Sequence, residues 1–83
     1  IMGAVDLGIY AQSLALLMQE QGISCCMQGA LGQFPQPIKE LLDIPDHVGV
    51  LFGISFGYED HDAAVNRART TRSELNQSVQ FFS

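Results

Sequence analysis

The segment from Met2 to Gln21 constrains this chain most. It contains no proline, consists of good helix formers, and is followed by Gly22, where a helix needs a residue able to take a left-handed backbone. One long helix is predicted. Its polar residues Asp6, Ser13 and Glu20 recur every seven positions, with Gln12 and Gln19 beside them. Val5, Leu7, Ile9, Tyr10, Leu14, Leu16, Leu17 and Met18 are left to cover most of the circumference, so the helix is expected to be buried nearly all round. A membrane span needs about 20 predominantly apolar residues. Asp6, Gln12 and Ser13 interrupt a shorter stretch here, which favours a core or subunit-interface helix with no membrane partner.

An 83-residue chain that is 47% hydrophobic has room for one domain at most, and it must expose much of that apolar surface or have it covered from outside. Cover from another surface is the expectation. The chain starts at Ile1 without an initiator Met or a signal-peptide pattern, as if cut from something longer. Four Lys and Arg against nine Asp and Glu, a net charge of −5, lack the basic footprint of nonspecific nucleic-acid binding.

After the helix, Ile23 to Met27 reads as a short buried strand, and Gln28 to Gly32 as a loop whose two glycines allow a close approach. Pro35 and Pro37 open a short helix with Ile38, Leu41 and Leu42 on one face, ended by Ile44-Pro45. Val48 to Phe56 is apolar except for Ser55, the pattern of a central strand covered on both faces. Glu59 to Asp62 form an acidic loop, and Arg67 and Arg69 share one side of the chain if that segment is extended. Thr71-Arg72-Ser73-Glu74 fits a capping box with a helical turn after it, and Val79 to Phe82 is a strand-like apolar tail suited to a sheet edge. The class is α/β or α+β.

Several residues carry weaker chemical signals. Gly53-Ile54-Ser55-Phe56-Gly57 matches Gly-x-Ser-x-Gly in letters, but a nucleophile elbow needs a sharp strand-to-helix turn, and a loop is expected next. His47 and His61 lack the partners of a metal site and read as solvent-exposed loop residues. Adjacent Cys25 and Cys26 point to opposite faces of a strand, which disfavours a disulfide and favours packing in a reducing, cytoplasmic setting.

In order and spacing, the helix ending at Gly22, the strand to Met27, Gln28-Gly29, Leu42-Asp43-Ile44-Pro45, and Phe52 to Tyr58 resemble the nitroreductase family. The resemblance implies that residues 1–83 are the C-terminal part of one nitroreductase-like domain whose N-terminal part is absent. It further implies a homodimer binding FMN, reduced by NAD(P)H and passing electrons to a nitroaromatic, quinone or similar small-molecule acceptor in ping-pong fashion. A flavin reductase or dehalogenating relative, or a non-catalytic dimerisation module, are the alternatives.

By the same resemblance, Gln28 and Gly29 lie beside the flavin ring, through the backbone because many relatives carry Glu at position 28. Arg67 and Arg69 hold the FMN phosphate, as suits two cations facing a multi-oxygen anion. Surface pairing with Glu59, Asp60 or Asp62 is the competing fate of these arginines, and Arg72 is assigned to solvent. No catalytic acid, base or nucleophile is assigned, since the hydride chemistry belongs to the cofactor.

Overall fold

The computed structural model describes residues 1–83. Helix α1 spans Met2–Glu20, strand β1 Ser24–Gln28, helix α2 Ala30–Gln33, helix α3 Gln36–Leu41 and strand β2 Gly53–Gly57. Two short 3-10 turns follow, at Ala64–Arg67 and Leu75–Gln77.

Helix α1 ends as its sequence requires. Gly22 takes a positive φ of 77°, its N–H donates to the Gln19 carbonyl at 3.0 Å, and the Ile23 N–H donates to that of Met18 at 2.9 Å. These two bonds form a Schellman motif, which satisfies carbonyls the helix leaves open and turns the chain directly into β1. Helix α3 stops the same way without a glycine. Asp43 adopts a φ of 54°, and the Ile44 N–H donates to the Lys39 carbonyl at 2.9 Å. The stop is therefore set by Asp43, ahead of the expected Ile44-Pro45, because a short polar side chain tolerates the left-handed region.

Strands β1 and β2 pair antiparallel, with Ser24 opposite Gly57, Cys26 opposite Ser55 and Gln28 opposite Gly53. This two-stranded ladder is the whole sheet. The expected central strand over Val48 to Phe56 is thus corrected to a five-residue strand with one neighbour in the chain. Residues 48–51 instead form a turn and a loop, in which the Val48 N–H donates to the Pro45 carbonyl at 3.0 Å.

The loop expected over Gln28 to Gly32 is partly helical, since Ala30–Gln33 makes one turn as α2. Its close approach is made at Gly32, where any Cβ would collide with the backbone carbonyl group of Leu51. The 48–51 loop rests on this helical turn through main-chain atoms, so the fit leaves no room for a side chain. At Gly53 a Cβ would instead meet the tip of the Leu31 side chain, which can rotate away.

The C-terminal portion departs most from expectation. Thr71 to Glu74 form no capping box: Glu74 is the N-cap of the Leu75–Gln77 turn and makes no side-chain cap bond. The tail from Val79 to Phe82 forms no strand, and Phe81 and Phe82 are exposed.

Ala11, at 4% exposure, is the one buried residue of the chain. Ile9, Tyr10, Leu16 and Leu17 of α1 all stand exposed, so the chain does not itself supply the all-round cover expected for this helix. A free-standing 83-residue segment has too little other structure to wrap a nineteen-residue helix on every side. No helix is long and apolar enough to cross a membrane.

Replacing Gly32 by Ala forces the 48–51 loop away from α2 and should cost about 1–3 kcal/mol of stability in the full-length protein. Gly53→Ala should cost less, because only Leu31 has to move. Denaturant midpoints of the two variants measured side by side check the ranking.

Candidate functional site

An open concavity of about 790 Å³ lies where one end of the β1–β2 ladder meets α1 and the segment after β2. Ser24, Cys25 and Cys26 line it from β1, Ser55, Phe56 and Gly57 from β2, and Gln12, Leu16 and Gln19 from α1. Glu59, Asp60, Asn66, Arg69 and Arg72 add two cations and two carboxylates to the lining.

The segment after β2 is shaped by its own polar groups. The Asp62 N–H donates to Asp60 Oδ1 at 3.0 Å, and Asn66 Nδ2 donates to the Asp60 carbonyl at 2.7 Å. The Ala63 N–H donates to the same carbonyl at 3.2 Å. These bonds fold residues 60–66 into a compact loop, an arrangement for which Asp and Asn side chains are suited because they reach nearby backbone groups. The loop delivers Arg69 back to the concavity beside Glu59.

Arg69 donates through one Nη to Glu59 Oε1 at 3.0 Å, and His61 Nδ1 lies 2.6 Å from Glu59 Oε2. The Glu59 side chain is 21% exposed, against 72% for Arg69 and 84% for His61. A guanidinium carries five N–H donors, so most of those on Arg69 are left to face outward. Arg72 donates to Thr70 Oγ1 at 2.9 Å and to the Thr71 carbonyl at 3.0 Å, contacts that hold its head group near its own backbone.

The structure separates the expected pair of arginines. Arg67 ends the 3-10 turn Ala64–Arg67 and does not line the concavity, so the two are not carried side by side on an extended strand. Arg69 and Arg72 share the concavity instead. The sequence signal for Arg72 was its three-residue spacing from Arg69, set aside on the expectation that Arg72 begins a helix; the chain at 72 is irregular.

Gln28 closes the opposite end of the ladder, where its Nε2 donates to Ser55 Oγ at 3.0 Å across the strands. Ser55 sits in the middle of β2, away from any strand-to-helix turn, and serves as the acceptor of that bond. Gly29 has an ordinary φ of −66°, and a Cβ placed there would meet nothing within 4 Å. Neither backbone strain nor packing within the chain demands glycine at 29, and the space beside it is open. Cys25 and Cys26 are both free thiols; Cys26 is exposed and both line the concavity, which corrects the expectation of packed cysteines.

Helix, hairpin ladder and loop in this arrangement are those of a known fold. Residues 2–58 match the model of the nitroreductase family, and the chain belongs to that family. It is 41% identical over 78 residues to the nitroreductase NfnB of Mycolicibacterium smegmatis, covering 94% of this chain and 33% of that protein. It is 35% identical over 77 residues to a 4-nitrobenzoate reductase of Nocardioides, covering 93% and 31%. The crystal structure of the FMN-dependent nitroreductase NfnB from Mycobacterium smegmatis in complex with NADPH superimposes with a TM-score of 0.91 at 40% identity, covering 96% of this chain and 36% of that one. The chain therefore spans about a third of the length of the curated relatives it matches.

The Arg69–Glu59 pair is largely solvated on the arginine side, and such pairs contribute about 0–1 kcal/mol. Arg69→Gln should accordingly leave the thermal stability of the flavin-free full-length protein within that margin, measured by circular dichroism at low and at high salt.

Proposed function

We propose that these residues form the C-terminal part of a homodimeric, FMN-dependent oxidoreductase that uses NAD(P)H to reduce nitroaromatic, quinone or similar small-molecule acceptors. The observation that carries this reading is the placement of two complementary features at opposite ends of one ladder. Arg69 and Arg72 face a common concavity at the end marked by Ser24 and Gly57, and Gly29 adjoins open space just beyond the end marked by Gln28 and Gly53. Five residues of strand at about 3.3 Å each set the two ends of the ladder roughly 13 Å apart, so the two features are displaced along the strands, as a ligand with its ring at one end and its phosphate at the other requires.

The residues present fit such a group. Guanidinium donors suit a phosphate dianion by charge and by their forked geometry. Missing Cβ atoms suit a flat ring that approaches main chain, and Gly29 has the clearance for it. Gln28, anchored on Ser55, keeps the end of β1 in register next to that ring. In this reading Arg69 and Arg72 are the phosphate ligands, and Arg67, which the sequence paired with Arg69, lies outside the concavity.

FMN, when bound, would supply the redox chemistry, that of a hydride acceptor toward NAD(P)H and an electron donor toward the acceptor, which is the basis of the proposed ping-pong order. The protein's share in this reading is to bind, to orient and to cover. Relatives are named for related reactions: one is a 4-nitrobenzoate reductase and another an NADPH-flavin oxidoreductase. The exposed apolar circumference of α1, together with Phe81 and Phe82, supports an oligomer and a larger domain that cover them.

The full-length protein should purify with the visible absorption of bound flavin, bleached by NADH or NADPH without oxygen and restored by a nitroaromatic. A colourless protein that FMN cannot reconstitute overturns the reading. Replacing Arg69 or Arg72 by Gln should each remove a charge-assisted contact of about 1.5–3 kcal/mol and weaken FMN binding at least tenfold, whereas Arg67→Gln should change it little. Fluorescence titration of the apoprotein with FMN measures all three.

A further inference from the structure

Beyond the ligands themselves, one carboxylate in the concavity has a role that the family assignment does not state. We infer that Glu59 is a positioning residue for the anion site, holding the Arg69 guanidinium over the concavity before the ligand arrives. The inference rests on the assignment of Arg69 to the FMN phosphate made above.

Three observations carry it. Glu59 follows the end of β2 by two residues and is the less exposed member of its pairs, so the carboxylate is rooted in the ladder while Arg69 comes from irregular chain beyond the Ala64–Arg67 turn. The two oxygens of Glu59 have different neighbours, Oε1 accepting from Arg69 at 3.0 Å and Oε2 lying 2.6 Å from Nδ1 of the exposed His61, so Arg69 is held by one oxygen alone. Only one Nη of Arg69 is used, so the pairing orients the guanidinium and leaves its remaining donors for a second anion.

A long arginine side chain ordered in advance loses less freedom when the phosphate binds, and that saving appears as affinity. The opposite role would be competition, in which Glu59 occupies Arg69 and must be displaced. Competition is disfavoured by the single-donor contact, which leaves Glu59 in place when a phosphate takes the free donors.

The test is FMN titration of the full-length apoprotein and its variants, with thermal midpoints to verify folding. Glu59→Ala should weaken FMN binding about two- to fivefold, the range of an exposed ion pair. Glu59→Gln, which keeps an oxygen to accept from Arg69, should restore affinity to within about twofold. In an Arg69→Gln background Glu59→Ala should have no further effect, because the two residues act through one contact. Tighter binding by both Glu59 variants would establish competition and overturn the inference, and an undiminished effect of Glu59→Ala in the Arg69→Gln background would reduce Glu59 to a general structural role. Should Arg69→Gln alone leave FMN affinity unchanged, it is the phosphate assignment that fails.

Discussion

Pairing between β1 and β2 is the contact through which everything else in this segment is placed. It joins residues 24–28 to residues 53–57 across two helical turns and a loop, and its register sets Ser24 against Gly57 and Gln28 against Gly53. A slip by one residue would send Ser55 to the other face and break its bond with Gln28, because side chains alternate along a strand. The two ends of the ladder are thus mechanically linked, and the flavin site proposed along them would inherit its dimensions from main-chain hydrogen bonds.

Local signals in the sequence were legible where a residue has a single physical use. Gly22 ended α1 as a left-handed cap, Ile23 to Met27 was a strand to within a residue, and the two prolines opened α3. The apolar pattern misled at Val48 to Phe56, because Val50 and Leu51 are apolar residues of a loop that leans on Gly32, and a loop covered on one side has the composition of a strand. At the C-terminus the capping box failed because its letters carry no information about whether Thr71 adopts the required backbone.

Single residues facing the concavity were legible, and their grouping was not. Arg69 lines the concavity and Gly29 adjoins open space, but which arginine accompanies Arg69 there depended on whether residues 66–72 run extended. A 3-10 turn rotates Arg67 away, and only then does the three-residue spacing bring Arg72 round. Hydrogen bonds from Asp62, Ala63 and Asn66 to Asp60 create that turn, and such side-chain-to-backbone bonds leave no periodic trace in a sequence.

The ladder has only two strands, so each has an outer margin of main-chain donors and acceptors with no partner in the chain. Short margins flanked by exposed Phe56, Leu31 and Met27 invite another extended peptide to add on. Excised from its surroundings, this segment would therefore be a template for intermolecular strand addition. A surface that covers those margins would guard against self-association.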